Sequence, residues 1–531
     1  MPISSFLLTL TPIAVIILML VVWKKPADIS GIVGWIVVSV IAFLFFRTSL
    51  EVIFRSTIAG GVKSFTVSLV VATSLLQMAF MEKTGALRRV IIFIKTIASD
   101  NRAVQIMLIN IGFGTLMVSV GATPVSLLPP IMLALGYSTY VSIALPCIGY
   151  DALCTYALLG APVVVFVDMA NSFLGKGHEI SLSQAGSVFF MFLPIISTLI
   201  GFCMLWIVGR WQGIKDGWLP CLITGAVITF VSYFTNKVDR LVVLTGIMCG
   251  AAVIIAMVFY LVVTGKKVID KSRLTVEELE YEKYYPLWKA LTPWGLLILL
   301  ILVLNLPTDM FNFLYRKVTL PIVGLSADGK PILTRALWNA YTWIFVSTFL
   351  SMVFIKPTPS QLKETFKVWW KRAPRPVFAV AIFFSIGEIM NFSGFDMASN
   401  KFAVASMVQV LANFSSQIFS NAYGSVVAFI GLLGGFITGS EASTIAMFSM
   451  YTMKTASLLH MGLEGMLIVT AGLAFGGGLA SVISPAKLQN AAAAIDKMGE
   501  ETKVIRIAFV FSLILIAVTT VLVMGFLRIY V

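Results

Sequence analysis

Four short stretches carry polar chemistry in apolar surroundings. Asp151 follows Gly149-Tyr150 inside an apolar run. Thr438-Gly439-Ser440-Glu441-Ala442-Ser443-Thr444 sets a carboxylate among six small or hydroxylic residues. Ser481-Val482-Ile483-Ser484-Pro485-Ala486-Lys487-Leu488-Gln489-Asn490 places a lysine and an amide three residues apart. Ser119-Val120-Gly121-Ala122-Thr123-Pro124-Val125-Ser126 offers a glycine turn before a proline. A fifth stretch, Glu388 to Asp396, holds Asn391 and two acids.

Inside lipid every backbone N–H and C=O must be paired, so a helix that breaks at membrane depth is tolerated only where it lines a protein cavity. Free N–H groups at a helix start favour an anion, and free carbonyls at a helix end favour a cation. Thr123 can cap the helix that Pro124 opens, and Ser484 the helix that Pro485 opens. Gly121, Ala122, Thr123, Ser440, Ser443, Thr444, Ser484, Lys487, Asn490 and Asn391 are therefore candidates to hold an anionic substrate. Asp151, Glu441 and Glu388 are candidates to carry a coupling proton, because a carboxylate at membrane depth is expensive and burial penalises its charged form. Bland alternatives stand beside these: Asp151 at a membrane surface, Glu441 as a helix-terminal residue, Lys487 snorkelling to the interface, Asp396 in a loop.

The composition sets the medium. Of 531 residues 59% are hydrophobic and 12% charged, and mean hydropathy is +0.97. Soluble domains carry roughly 25% charged residues, so this is a polytopic α-helical membrane protein. Lys+Arg exceeds Asp+Glu by 38 − 24 = 14. The excess sits in connectors such as Lys24-Lys25, Arg88-Arg89, Lys266-Lys267 and Lys371-Arg372, as the positive-inside rule requires, and does not point to nucleic acid. The five cysteines lie in apolar runs without pairing motifs, and His178 and His460 are too few for a metal cluster. No metal or organic cofactor is expected. The N-terminal apolar run lacks a basic start and ends in Lys-Lys, which reads as a first span with its N-terminus outside.

A span needs about 20 apolar residues. Candidates are 6–23, 30–46, 62–82, 187–208, 218–235, 240–264, 290–306, 336–355 and 505–528. Two longer zones, about 103–170 and 377–496, are apolar but interrupted. The expected total is about 12–14 transmembrane helices. The basic connector 265–289, read as cytoplasmic, separates a first membrane half, 1–264, from a second, 290–531. So does 356–376 read as cytoplasmic, while 307–335 reads as outside. Gly112-Phe113-Gly114, Val120 to Pro124 and Gly160-Ala161-Pro162 in the first half have counterparts in Gly434-Gly435-Phe436, Thr438 to Ser443 and Gly476 to Pro485. Interrupted segments at matching places in two halves point to a transporter's binding site.

The order of landmarks resembles the L-lactate permeases. FIGLLGGFITGSEASTIAMF, followed by ISPAKLQNAAAAIDKMGEE, is similar to that family's GxFxTGSxxSxNxxF and ISPQS elements. Trp211-Gln212-Gly213-Ile214-Lys215, Ala290-Leu291-Thr292-Pro293, Ser385-Ile386-Gly387 and Asn391-Phe392-Ser393-Gly394 match further family stretches. The resemblance implies a secondary transporter importing lactate, and often glycolate, with protons. It also implies the ion-transporter superfamily: two inverted repeats with re-entrant hairpins and broken helices, an elevator-type scaffold plus transport domain, and by analogy a homodimer in the cell membrane. This chain departs from the family where the site is expected. The acidic residue of the first kink is missing; the second kink has Glu441 for the family's Asp and Ile445 for its Asn; ISPQS becomes Ile483 to Lys487. Asp151, Glu388 and Lys487 are charges the usual pattern lacks.

The expected function is proton symport of a small monocarboxylate. Alternatives are sodium coupling, a dicarboxylate or other organic anion, and an ion channel or antiporter. A membrane enzyme is disfavoured by the lack of HExxH and GxSxG.

Overall fold

The computed structural model describes residues 3–97, 101–272 and 274–530. Most of these residues are helical, and the strands among them form two short antiparallel pairings, Pro321–Ile322 with Ile332–Leu333 and Phe395–Asp396 with Lys401–Phe402. Among them, 11 helices are long and apolar enough to cross a membrane, or up to 12 when a pair bent by 92° is one span. The sequence suggested 12 to 14. Two spans expected at 187–208 and 218–235 lie within one helix, Leu182–Thr235, broken at Arg210. That helix has 54 residues, about 80 Å at 1.5 Å per residue, which suffices for two crossings. Leu7, Leu18, Ile36 and Phe43 on the first two helices are exposed, as lipid-facing side chains must be.

Each interrupted zone folds into a hairpin followed by a broken helix. In the first, Arg102–Ile106, a π-helical Met107–Phe113 and Gly114–Ser119 form one continuous arm, and Pro124–Ala134 returns. The arms run antiparallel: Asn110 meets Met132, and Tyr137 Oη donates to Gln105 Oε1 at 2.7 Å. The arm ends at Gly121, whose φ is +89°. Its N–H bonds Val118 O at 3.1 Å while Ala122 N–H reaches Met117 O at 2.8 Å, the paired bonds of a Schellman cap. Pro124 then opens the return arm at its first position. Next come Thr139–Gly149, the 3₁₀ turn Tyr150–Tyr156 and Ala157–Leu174.

The second zone repeats the plan. Val427–Thr438 and Glu441–Leu458 form a hairpin with its tip at Gly439, φ +65°. Thr438 and Thr444 hydroxyls lie 3.4 Å apart across it. Gly462–Ala480, the 3₁₀ turn Ser481–Ile483 and Pro485–Ala493 follow. Glycine lets the backbones touch: a Cβ on Gly435 would overlap the Gly477 carbonyl, and one on Gly431 the Leu473 carbonyl.

The 265–289 connector is docked. Its helix Val276–Tyr284 sends Glu277 to Arg88 (2.5 Å), Glu278 to Lys95 (2.5 Å) and Glu282 to Arg89 (3.1 Å) on Ala86–Thr96.

Candidate functional site

The chain leaves the α-helix after Gly149, and Leu153 takes a non-helical φ of −141°. This turns Asp151 and Thr155, four residues apart, toward the second zone. Asp151 is only 3% exposed. Ser481 Oγ donates to Asp151 Oδ1 at 3.1 Å, and Lys487 Nζ donates to Ser481 Oγ at 2.7 Å. The half-buried Lys487 ammonium lies 3.7 Å from the Tyr150 ring centroid, a cation–π contact. One hydroxyl thus separates a lysine from a buried carboxylate.

Glu441 comes from the hairpin tip. Gly439 ends one arm in the left-handed conformation, and Ser440 Oγ accepts the Ser443 N–H at 3.4 Å as the N-cap of the next. Glu441 then occupies the first helical turn, where a negative charge is favoured. Its side chain, 4% exposed, accepts from Thr155 Oγ1 at 2.8 Å through Oε1. Oε2 is buried with no oxygen or nitrogen donor; its neighbour is the Cys154 thiol, a weak donor. Ser443 Oγ is likewise buried and unpartnered. Gly478 leaves this corner open, since a Cβ there would stand 2.5 Å from Cys154 Sγ and 2.8 Å from Glu441 Oε2. A Cβ on Gly439 would stand 3.0 Å from Ser484 Oγ, so the turns at 438–440 and 481–484 are neighbours.

Two helices, Glu441–Leu458 and Pro485–Ala493, start at this place, and two, Val427–Thr438 and Gly462–Ala480, end beside it. Four helix ends, two carboxylates and one ammonium converge. Such a set binds a small ion by its backbone dipoles and can hold a proton on a carboxyl.

All four stretches singled out by sequence do break, but not every candidate residue joins the cluster. Thr123 and Ser484 occupy N-cap positions without making a side-chain cap bond. The first tip faces elsewhere: a Cβ on Gly121 would lie 2.9 Å from Ser74 Cβ. Ala122 is buried there and Thr123 half-buried. Thr444 donates to Ser440 O at 2.9 Å and packs on Gly477, so it braces the hairpin. Lys487 and Asn490 do not share a face as expected: Lys487 turns inward and Asn490 is exposed. A helix of 3.6 residues per turn puts a three-residue step about 60° off one line, enough to separate them at the edge of a buried stripe. Lys487 reaches Ser481 rather than pairing with Glu441. Glu388, 7% exposed, pairs with Lys63 at 2.5 Å, away from Asp151. Asn391 is half-buried one turn further along that helix. Asp396 is exposed in a small β pairing.

Thr155 was not anticipated, and Tyr150, Gly478 and Ser481 lie in stretches singled out above without being named as site residues. Nothing in the sequence singled out Lys63.

A family model described as L-lactate permease matches residues 5–530. The chain belongs to the L-lactate permease family. An L-lactate permease of Salmonella typhi is 21% identical over 541 residues, covering 96% of this chain and 93% of the relative. The glycolate permease GlcA of Escherichia coli (strain K12) is 23% identical over 568 residues, covering 97% and 94%. An L-lactate permease of Bacillus subtilis (strain 168) is 22% identical over 559 residues, covering 98% and 95%. Membership makes the chain a multi-pass membrane transporter, not an enzyme.

Proposed function

We propose that this permease is a proton symporter importing a small monocarboxylate, such as L-lactate or glycolate, across the cytoplasmic membrane. The printed names of its relatives, L-lactate permease and glycolate permease, support the substrate class. The observation that carries the site is the meeting of Lys487, Asp151 and Glu441 at two unwound turns, with Glu441 Oε2 and Ser443 Oγ left unpartnered. An anion held by Lys487 and the starts of helices Glu441–Leu458 and Pro485–Ala493 would have charge and donors on one side. A carboxyl beside it would carry the proton. Moving a monoanion with one proton is electrically neutral, and so avoids about 2.3 kcal/mol per charge at 100 mV inside negative.

The two hairpin-plus-broken-helix units form, in this reading, two inverted repeats within a moving transport domain, with the remaining helices as scaffold. Their matching order of hairpin, turn, helix and 3₁₀ break supports it.

Proteoliposomes with imposed gradients test the function. Uptake of L-lactate or glycolate driven by an inward proton gradient, with no sodium present, is the expected result. Uptake that needs sodium, or that prefers succinate, contradicts it.

A further inference from the structure

We propose that Lys487 changes partner during transport: in the empty carrier Asp151 balances it through Ser481, and the substrate carboxylate replaces Asp151, which then takes one proton from the aqueous phase. This rests on the function proposed above and adds the coupling element.

Lys487 is the third residue of the helix Pro485–Ala493. A cation in a first helical turn opposes the helix dipole, so its placement calls for an anion nearby. The charged groups near it are Asp151 from one side and Glu441 from the hairpin tip, with the uncharged Cys147 and Cys154 thiols nearby and the Tyr150 ring beneath. Among the described residues its side chain bonds Ser481 Oγ, and that hydroxyl links it to Asp151.

That link has a fixed direction. Ser481 Oγ accepts from Lys487 and gives its one proton to Asp151. When the ammonium turns to a substrate carboxylate, Ser481 loses its positive donor and Asp151 is left charged in a buried place. A lysine can make this turn, because its ammonium is a rotatable point charge on a flexible stem. Glu441 does not face the same loss, since its donor is Thr155, on the other chain segment.

Charge counting gives the number. One ammonium opposes two carboxylates in the empty site. A bound monoanion adds one negative charge, and one proton on Asp151 restores the balance. Leaving the charge uncompensated in a low-dielectric site is far more costly than taking up a proton. A dicarboxylate would bring a second charge that no further lysine or arginine among the described residues of this cluster meets. The same device therefore sets both the stoichiometry and the preference for monocarboxylates.

Titration calorimetry on the full chain in lipid nanodiscs, in buffers of differing ionisation enthalpy, reads the protons directly. Wild type is expected to take up one proton per L-lactate bound. Asp151→Asn should take up none, and its affinity should stop varying with pH. Lys487→Gln should weaken binding on the order of 100-fold. Wild-type binding without proton uptake overturns the proposal, and so does full uptake by Asp151→Asn. Should Asp151→Asn fail to fold, the infrared difference between lactate-bound and empty wild type decides. A new protonated-carboxyl band supports the exchange, and its absence rejects it. Failure of the underlying function looks different: neither L-lactate nor glycolate binds to wild type, and the exchange falls with it.

Discussion

The Lys63–Glu388 pair and the Lys487–Asp151–Glu441 cluster both set a lysine against carboxylates between apolar helices, and they are built differently. Lys63 on Leu50–Lys63 meets Glu388 on Pro374–Phe392 directly at 2.5 Å. Lys63 is the last residue of its helix and Glu388 lies within a regular one, and the two helices pack closely: a Cβ on Gly60 would overlap the Ser385 backbone, and Ser385 Oγ donates to Thr57 O at 2.8 Å. That pair is complete. Lys487, Asp151 and Glu441 have similar chemistry but sit where four helices start or stop. A hydroxyl stands between two of the charges, and one carboxylate oxygen has no strong donor. The first pair joins two helices; the second cluster has unspent capacity for a ligand. The presence of a charge in an apolar segment does not separate the two cases. Completeness of its partners does.

The comparison can be broken most sharply at Lys487. Lys487→Gln should cut L-lactate uptake roughly 100-fold or more per folded molecule, since removing one member of a buried charge pair costs about 2–5 kcal/mol. Uptake by radiolabelled substrate, normalised to purified protein, checks this. The matching change at the other pair should act on folding. Lys63→Met strands Glu388 and should destabilise by about 3–5 kcal/mol, seen as a lower Tm, with the molecules that remain folded still transporting. The double variant Lys63→Met with Glu388→Leu should recover most of that stability, because apolar replacement of a buried pair is often neutral or better. Loss of uptake in a stable double variant would bring Glu388 back into the mechanism.

Thr155→Val sharpens the comparison from inside the site. It removes the donor to Glu441 Oε1, which costs about 1–3 kcal/mol for a buried group left unsatisfied. Uptake should fall about tenfold, with Tm lowered by no more than a few degrees. Asn490→Ala should do least: the side chain is exposed, so both stability and uptake should stay near wild type, within about 0.5 kcal/mol.

Much of the fold was legible because lipid imposes a strict rule. Apolar length gave most of the spans, and glycine and proline marked all four breaks, Gly121–Pro124, Gly149–Tyr150, Gly439 and Ser484–Pro485. The exact number of crossings was not, because Leu182–Thr235 is one helix long enough for two spans and Met407–Ser425 with Val427–Thr438 makes a span only as a bent pair. Within the site, Asp151, Glu441 and Lys487 stood out as charges in apolar runs. Their partners did not, since Thr155 and Ser481 pair across 286 and 330 residues of chain. Local pattern carries no record of such pairings. Glu388 looked like Asp151 in sequence for the same reason, as its partner Lys63 lies 325 residues away.

The central claim is that the unwound turns around Lys487 cradle the substrate carboxylate. A cryo-electron-microscopy structure of the full chain with L-lactate tests it most directly. The carboxylate is expected within hydrogen-bonding distance of Lys487 Nζ, between the turns at 438–441 and 481–484. A carboxylate bound beside Lys63 and Glu388, or bound with Lys487 still on Ser481, would contradict it.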